Sequence, residues 1–335
     1  MKALVTGATG LIGNALAKRL AREGHDVRAL VRDAGRARPL LPLEVGLVPG
    51  DLTDPTSLRE ATRGAEVVFH AAGAPEQWIR DESVYEKVNR QGTVNVLSAA
   101  RAEGVRRVVY TSSMIVFEAP AGGTVVESRV AAEPKETAYG RSKQEAEREA
   151  MRFLSEGLDV VMVNPSVVYG PSPVHVGINS FFIQLLNGQA PFLPPGGISV
   201  VTADGVAEAH LAAADKGRPG ERYLVSDEFV TTRALAREIC AAGGLARVPP
   251  VAPVWLMRAL AGSMERLARV LPFTPLVTRG QLSIVLWKAD VDTGKARREL
   301  GFRPTPLAEG VRETVEFLRS EHLVPAPAGN RSPGR

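Results

Sequence analysis

Short β-branched runs alternate with helix-length segments through the first half of the chain, and that alternation leaves few folds open. The runs "KALVTG", "DVRALV", "VGLVPG", "AEVVFHAA", "RRVVYTSS" and "LDVVMVNP" read as strands, with helical patterns near 11–23, 56–63, 83–103 and 139–156 between most of them. Strands separated by helices of this length form right-handed βαβ units, and the parallel sheet they build must be covered on both faces. The expected class is α/β, with a doubly wound parallel sheet.

The segment "VTGATGLIG" follows the first strand and opens the first helix, which brings Gly7, Gly10 and Gly13, with Leu11 and Ile12 between them, to the place where backbone must pass close to something. Glycines there allow a tight turn, and the free N–H groups and dipole of a helix N-terminus favour an anion. The pyrophosphate of a dinucleotide is the natural occupant, which makes the sheet Rossmann-type. The spacing is GxxGxxG, so its weight comes from the strand before it and the helix after it. The second strand ends "ALVRDAGRAR". An acidic residue at such a tip would hold the ribose hydroxyls of NAD, and an arginine would accept the extra phosphate of NADP. With Val31 at the tip, Arg32 precedes Asp33 and NADP(H) is favoured over NAD(H); a one-residue shift would exchange their roles. Asp51 and Leu52, in "PGDLTD" after the third strand, fall where an adenine ring should lie.

After Pro165 the rhythm changes to a Pro- and Gly-containing loop, a returning strand and helix in "ISVVTADGVAEAHLAAA", and mostly helical segments. The expected division is a dinucleotide-binding domain over 1–170 with the returning segment 198–225, and a smaller, discontinuous, mostly helical substrate region over 171–197 and 226–323. The Pro/Gly-rich stretch 324–335 should be a flexible tail.

At 335 residues and 44% hydrophobic content the chain can bury a large core. Its 41 basic and 37 acidic residues leave a net charge of +4, with the arginines scattered and not in blocks, so no nucleic-acid footprint is expected. A lone cysteine, Cys240, excludes an internal disulfide framework. The five histidines are dispersed, and no metal is expected. The chain starts directly on a strand and has no apolar run of about 18 residues, so the expectation is a cytoplasmic protein without an integral membrane segment.

In "TAYGRSKQEAE", Tyr139 and Lys143 stand four residues apart, so the phenol and the ammonium project from one helix face. A cation several Å from a phenol favours the phenolate, and would lower its pKa toward working pH. The spacing alone is equally that of a surface pair.

The ordered series "TGATGLIG", "GDLTD", "FHAAG", "VNRQGTVNVLSAA", "VVYTSS", "YGRSK", "NPSVVYGP", "ADGVAEAHL", "GERYLVSDEFVTTRALA" and "DTGKARRELGFRP" resembles the extended short-chain dehydrogenase/reductases across nearly the whole chain. It is most similar to the dihydroflavonol-reductase-like and hydroxysteroid-dehydrogenase-like members, which are oxidoreductases on ketone and alcohol pairs. The resemblance implies that Tyr139 is the acid/base, that Lys143 holds the nicotinamide ribose, and that Ser113 holds the substrate oxygen; Ser112 takes that place if the register shifts by one. It also implies that Ala71, Ala72, Asn89 and Thr111 line the cofactor, with Pro165, Val167 and Val168 turning against the nicotinamide. His70 is expected to pack at a strand end. Trp78, Met114, Asn164, His175, Phe181 and Phe182 are the expected substrate contacts. A homodimer packed through 83–103 and 139–156 is implied as well.

Nucleotide-sugar epimerases and dehydratases share the scaffold and are the rival reading. Dehydratases of the family carry Asp-Glu directly after the catalytic hydroxyl residue, where this chain has Met114 and Ile115. Sugar-nucleotide enzymes usually place an arginine before the segment matching "VTADGVA", and here "PPGGIS" stands there. The apolar residues between Phe181 and Leu193 suit a small hydrophobic carbonyl or alcohol as substrate, although at least half of them should be helix core. A dinucleotide sensor without turnover is a further reading, weakened because Ser113, Tyr139 and Lys143 are all present. The stripe Leu256, Leu260, Met264, Leu267 and Leu271, with Arg258, Arg266 and Arg269 interleaved, reads as core or substrate lid, or else as a membrane-surface face.

Overall fold

The structure is a computed structural model describing residues 1–76 and 78–325. Most of the expected tail, residues 326–335, lies outside the described residues. In chain order the strands are β1 (Lys2–Thr6), β2 (Asp26–Val31), β3 (Gly46–Pro49), β4 (Val67–His70), β5 (Arg107–Thr111), β6 (Thr124–Val125), β7 (Val160–Pro165), β8 (Val167–Tyr169), β9 (Gly197–Thr202), β10 (Arg222–Val225), β11 (Glu228–Thr231) and β12 (Asp290–Val291). Seven of them form one sheet in the order β10-β7-β5-β4-β1-β2-β3, with every neighbouring pair parallel. The strand order reverses between β1 and β4, which opens a crevice at their carboxyl ends.

Burial explains why these runs carry little polar/apolar alternation. Along β1, Ala3 and Val5 enter the core on one face and Leu4 the core on the other; β7 does the same with Val161 and Val163 against Val160 and Met162. Both faces are dry, so both sets must be apolar. The first face is covered by helices Leu11–Arg22 and Ala203–Lys216, and the second by Pro55–Thr62, Gly92–Ala102 and Ala138–Ser155. Within the segment 83–102, residues Glu86–Gln91 are wound as a π-helix, a local widening that the sequence pattern did not announce.

The segment 198–225 divides in a way the sequence reading did not anticipate. β10 extends the central sheet beside β7, and helix Ala203–Lys216 packs on Leu11–Arg22, but β9 lies in a separate sheet of order β11-β9-β8. With the edge of β7 taken by β10, β9 pairs in parallel with β8 and antiparallel with β11. A third core, containing Phe182, Leu185, Leu186, Ile239 and Val315, packs around that small sheet.

Leu16 is fully buried on the helix that follows the glycine loop. Leu16→Ala should lower the unfolding free energy by about 2–5 kcal/mol, the usual cost of a cavity left by a buried leucine, and a urea midpoint measurement checks this.

Candidate active site

The glycine loop is built by close backbone contact. Gly7 has φ +75°, and a Cβ there would lie 2.7 Å from Ala72 Cα and N and 2.8 Å from the Ala71 carbonyl carbon. The chain leaving β4 therefore packs directly on the turn leaving β1, across the crevice. Gly13 is equally constrained, since a Cβ would meet the Gly7 carbonyl oxygen at 2.2 Å. Gly10 caps helix Leu11–Arg22 with extended backbone and no side-chain hydrogen bond, so no side chain competes for the helix's first N–H groups.

Arg32 follows the end of β2 directly and is exposed. Asp33 instead caps the short helix Ala34–Ala37, accepting from the Arg36 N–H at 3.0 Å and pairing with its guanidinium at 3.4 Å. Asp51 accepts from the Thr53 N–H at 2.8 Å and its hydroxyl at 2.7 Å; these bonds, with some help from the nearby Arg32 charge, hold its carboxyl below the ordinary range. Leu52 lies against Gly92 and the second core.

Beside the turn lies a buried polar seam. His70 is wholly buried, with Nδ1 2.7 Å from Thr6 Oγ1 and Nε2 3.0 Å from Thr93 Oγ1, and it stacks on Tyr110. Burial, and then the Lys143 charge, push its pKa down to about 3, so it is a neutral structural splint. Asn89, on the π-helical stretch, is also buried: its Oδ1 accepts from Ala74 N–H at 2.7 Å, and its Nδ2 donates to Ala74 O at 3.1 Å and Ser142 Oγ at 2.9 Å. With its amide fully used, Asn89 shapes the wall behind the crevice. Thr111 is likewise buried, its Oγ1 2.7 Å from His210 Nε2.

Helix Ala138–Ser155 delivers the expected pair. Thr137 caps it through the Gly140 N–H at 3.0 Å, which puts Tyr139 in the first turn and Lys143 in the next. Lys143 is buried, donates to Thr111 O at 2.9 Å, and stands 5.2 Å from the Tyr110 ring centre. Burial lowers its pKa to about 8, against the opposing pull of Glu147. Tyr139 is half-buried, hydrogen-bonded through its hydroxyl to the side chain of Ser113, and edge-on to Tyr85 at 5.9 Å. Ser113 also caps the short 3-10 turn Met114–Val116, whereas Ser112 is buried with its hydroxyl unpartnered among the described residues.

One expectation about this pair is reversed. Tyr139 is not poised as a phenolate: burial pushes its pKa up to about 12, the Ser113 bond pulls the other way, and the Glu76 carboxylate adds to the rise. The phenol is thus held protonated at neutral pH. Glu76, in the loop after β4, was missed by the sequence reading; burial raises its own pKa to about 6, and its carboxylate bonds the Thr137 hydroxyl.

Glu147 was missed as well. It is buried one turn beyond Lys143, with Oε1 accepting from Asn164 Nδ2 at 2.6 Å and Oε2 from Arg222 Nε at 2.6 Å. The i, i+4, i+8 series Tyr139, Lys143, Glu147 was the available signal.

The expected substrate contacts divide. Asn164 is wholly buried, its Nδ2 donating to Glu147 Oε1 at 2.6 Å and to Ser113 O at 3.3 Å. Met114 is buried with Val116, Phe117 and Leu224, and Phe182 is core, stacked 5.9 Å from Tyr169. These three are not open to a ligand in this structure. Phe181, Trp78 and His175 are half-buried, and His175 Nδ1 lacks a partner among the described residues. Pro165 ends β7 in register with Val225, and the partly buried Val167 and Val168 begin β8. Among the described residues no group of three or more metal-ligating side chains is found.

Similarity to known proteins extends over most of the chain. The family profile described as "NAD dependent epimerase/dehydratase family" matches residues 3–226. The chain is 32% identical to the "Sterol demethylase protein B" of Methylococcus capsulatus over 97% of this chain and 100% of that one. It is 30% identical to the "2-alkyl-3-oxoalkanoate reductase" of Stenotrophomonas maltophilia, over 93% and 98%. Among solved structures, the UDP-glucose 4-epimerase of Thermus thermophilus in complex with NAD superposes with a TM-score of 0.77 at 26% identity, over 95% of this chain and 99% of that one.

Burying the Lys143 ammonium costs stability, which gives a test that needs no ligand. Between pH about 8 and 10.5 the folded chain holds fewer protons at this position than the unfolded chain, so the penalty is full below pH 8 and fades as pH rises toward 10.5. Lys143→Met should therefore melt higher than the parent at pH 7, with the gap closing at alkaline pH, as read by thermal unfolding across a pH series.

Proposed function

The chain belongs to the NAD dependent epimerase/dehydratase family, and from that premise we propose that it is an NAD(P)H-dependent reductase of a small hydrophobic ketone, or the dehydrogenase of the matching alcohol. The observation that carries this reading is the hydrogen-bonded Ser113–Tyr139 pair, with its protonated phenol, set one helical turn from the buried Lys143.

The residues present fit a dinucleotide. The Gly7 turn has no room for a side chain, and the glycine-capped helix start leaves N–H groups for a pyrophosphate. Gly7, Gly10, Leu11, Ile12 and Gly13 would hold the diphosphate, Asp51 and Leu52 the adenosine side, and Ala71, Ala72, Pro165, Val167 and Val168 the nicotinamide side. When bound, the nicotinamide supplies or removes a hydride. Ser113 donates a hydrogen bond to the substrate oxygen, and Tyr139 gives that oxygen its proton in the reducing direction. Lys143 offers its ammonium to the ribose and stabilises the phenolate left behind. Asn89, Thr111 and Asn164 act behind these groups, positioning the walls and Lys143. NADP(H) is the preferred cofactor in this reading, supported by the exposed Arg32 beside an Asp33 already engaged as a helix cap. Assembly as a cytoplasmic homodimer through 83–103 and 139–156 belongs to the same proposal. Among the described residues no helix is long and apolar enough to cross a membrane.

A nucleotide-sugar epimerase or dehydratase is the second reading, and it draws on the Glu76 carboxyl beside Tyr139 and on the Thermus epimerase neighbour. Against it, the position after Ser113 holds a buried methionine instead of a carboxylate. A sugar diphosphate would also bring two charges that need partners, and unpaired burial costs several kcal/mol.

With NADPH and a panel of hydrophobic ketones, the protein should oxidise cofactor, and Tyr139→Phe should lower turnover about 100-fold while cofactor affinity holds. UDP- and dTDP-sugars should be left unchanged in the same assay; sugar epimerised without net NADPH oxidation would promote the second reading. Arg32→Ala should weaken NADPH binding by about 1–3 kcal/mol, the scale of a lost charge-assisted hydrogen bond, and leave NADH nearly unaffected. Equal losses for both cofactors in a binding titration would remove Arg32 from the phosphate site.

A further inference from the structure

The helix Val254–Val270 buries only a narrow face. Met257, Ala261, Glu265 and Ala268 are its buried residues, and at about 100° per residue they fall within roughly 80° of the helix circumference. Leu256, Leu260 and Leu267 lie within about 40° of one another on a different face. Leu260 and Leu267 are 38% and 50% exposed, and at and beyond the end of the helix Val270, Leu271 and Leu276 are 80%, 46% and 54% exposed. Trp255, the most exposed indole position in this stretch at 70%, stands on the third face with Arg258, Arg266 and Arg269. The helix therefore has one face in the protein, one apolar face that is packed at Leu256 and open to solvent at Leu260 and Leu267, and one face of arginines with a tryptophan.

Charge selects the occupant. Glu265, the helix's acidic residue, is buried and paired with Arg279 at 2.7 Å, which leaves Arg258, Arg266 and Arg269 without a carboxylate partner among the described residues. A second copy meeting this face about a twofold axis would bring arginines against arginines. An anionic surface would instead pair with them while its apolar layer took up the leucines and the indole. We propose that this face docks on an anionic phospholipid bilayer, with the helix lying in the interfacial plane.

The patch adjoins the candidate active site. Arg80, in the loop after β4, donates to Ala268 O at 3.1 Å and Leu271 O at 3.4 Å, tying that loop to the end of the helix. Glu76 of the same loop packs at Gly280 and neighbours Tyr139. A docked protein would hold its site mouth near the lipid surface, where an apolar carbonyl compound is concentrated. That last consequence rests on the proposed function; the docking itself does not.

Co-sedimentation of the full chain with phosphatidylcholine vesicles, with and without phosphatidylglycerol, tests the proposal without any turnover assay. The protein should sediment with the anionic vesicles, weakly with the neutral ones, and less as salt is raised. Arg258→Gln, Arg266→Gln and Arg269→Gln together should weaken anionic binding about 100-fold, at about fivefold per charge. Leu260→Glu with Leu267→Glu should abolish it. The fluorescence of the parent should shift to the blue on binding, and that shift should be missing in Trp255→Phe, so the proposal stays testable if the leucine variant does not fold. Protein that remains in the supernatant with anionic vesicles overturns the proposal, as does equal binding by the triple arginine variant. A leucine variant that changes from dimer to monomer yet still binds vesicles would assign the face to a second copy.

Discussion

The candidate site depends on a carboxylate that touches none of its reacting groups. Glu147 lies buried on the long helix, where it accepts from Asn164 at the end of β7 and from Arg222 on β10. A buried carboxylate is tolerated only when its lone pairs are matched by donors, and Arg222 supplies a charge as well as a hydrogen bond. The two bonds fix the helix in rotation and along its axis against the carboxyl edge of the sheet. Once Glu147 is seated, Lys143 one turn earlier reaches the Thr111 carbonyl, and Tyr139 another turn earlier reaches Ser113. The same carboxylate favours the Lys143 ammonium, opposing the burial that would otherwise drive it neutral.

A second constraint lies in the polar seam behind the crevice. Two parallel strands end in hydroxyl residues that each meet a histidine: Thr6 meets His70, and Thr111 meets His210. Both imidazoles are wholly buried and held neutral, with pKa values pushed down to about 3 and about 4, chiefly by burial. A neutral imidazole presents one donor and one acceptor, so each can link two elements: His70 joins Thr6 to Thr93, and His210 joins Thr111 to the Val206 carbonyl on its own helix. The carboxyl ends of these strands are thereby tied by side-chain hydrogen bonds to the helices that cover them.

How much of this the sequence carried follows from the range of the interactions involved. Strands buried on both faces appear as unbroken β-branched runs, which is why β1, β2, β4, β5 and β7 could be read directly, as could the helices between them. The glycine turn was legible because a backbone approach as close as Gly7 to Ala72 excludes any side chain. Tyr139 and Lys143 were legible because one helical turn is a local spacing. What failed was long-range. Glu147 and Arg222 are 75 residues apart, and nothing near either announces the other. Met114 and Phe182 were placed near the site by position along the chain, but their side chains turn into two different apolar cores, and Asn164, which does reach the Ser113 carbonyl, is wholly buried. The pKa of Tyr139 was misjudged for the same reason: a spacing shows which charge is near, and only the packed structure shows how much water has been removed.

That removal of water bears on what a shared scaffold can do. Epimerases and reductases on this fold need the same dinucleotide cradle, so the cradle cannot distinguish them. The distinction must come from the groups around Ser113 and Tyr139. In this chain the turn after Ser113 is anchored by Met114 and Val116, both buried in an apolar cluster with Phe117 and Val125. Replacing that anchor with carboxylates would require donors that the cluster does not hold. The acid beside Tyr139 comes instead from Glu76, whose carboxyl bonds the Thr137 hydroxyl and packs against Gly280. It therefore couples the start of helix Ala138–Ser155 to the region that carries helix Arg279–Trp287. A carboxylate near the phenol makes the phenolate harder to form, so it keeps Tyr139 protonated and makes it a weaker acid. Forming the phenolate at this position therefore calls for a compensating cation, and the buried Lys143 ammonium stands one helical turn away.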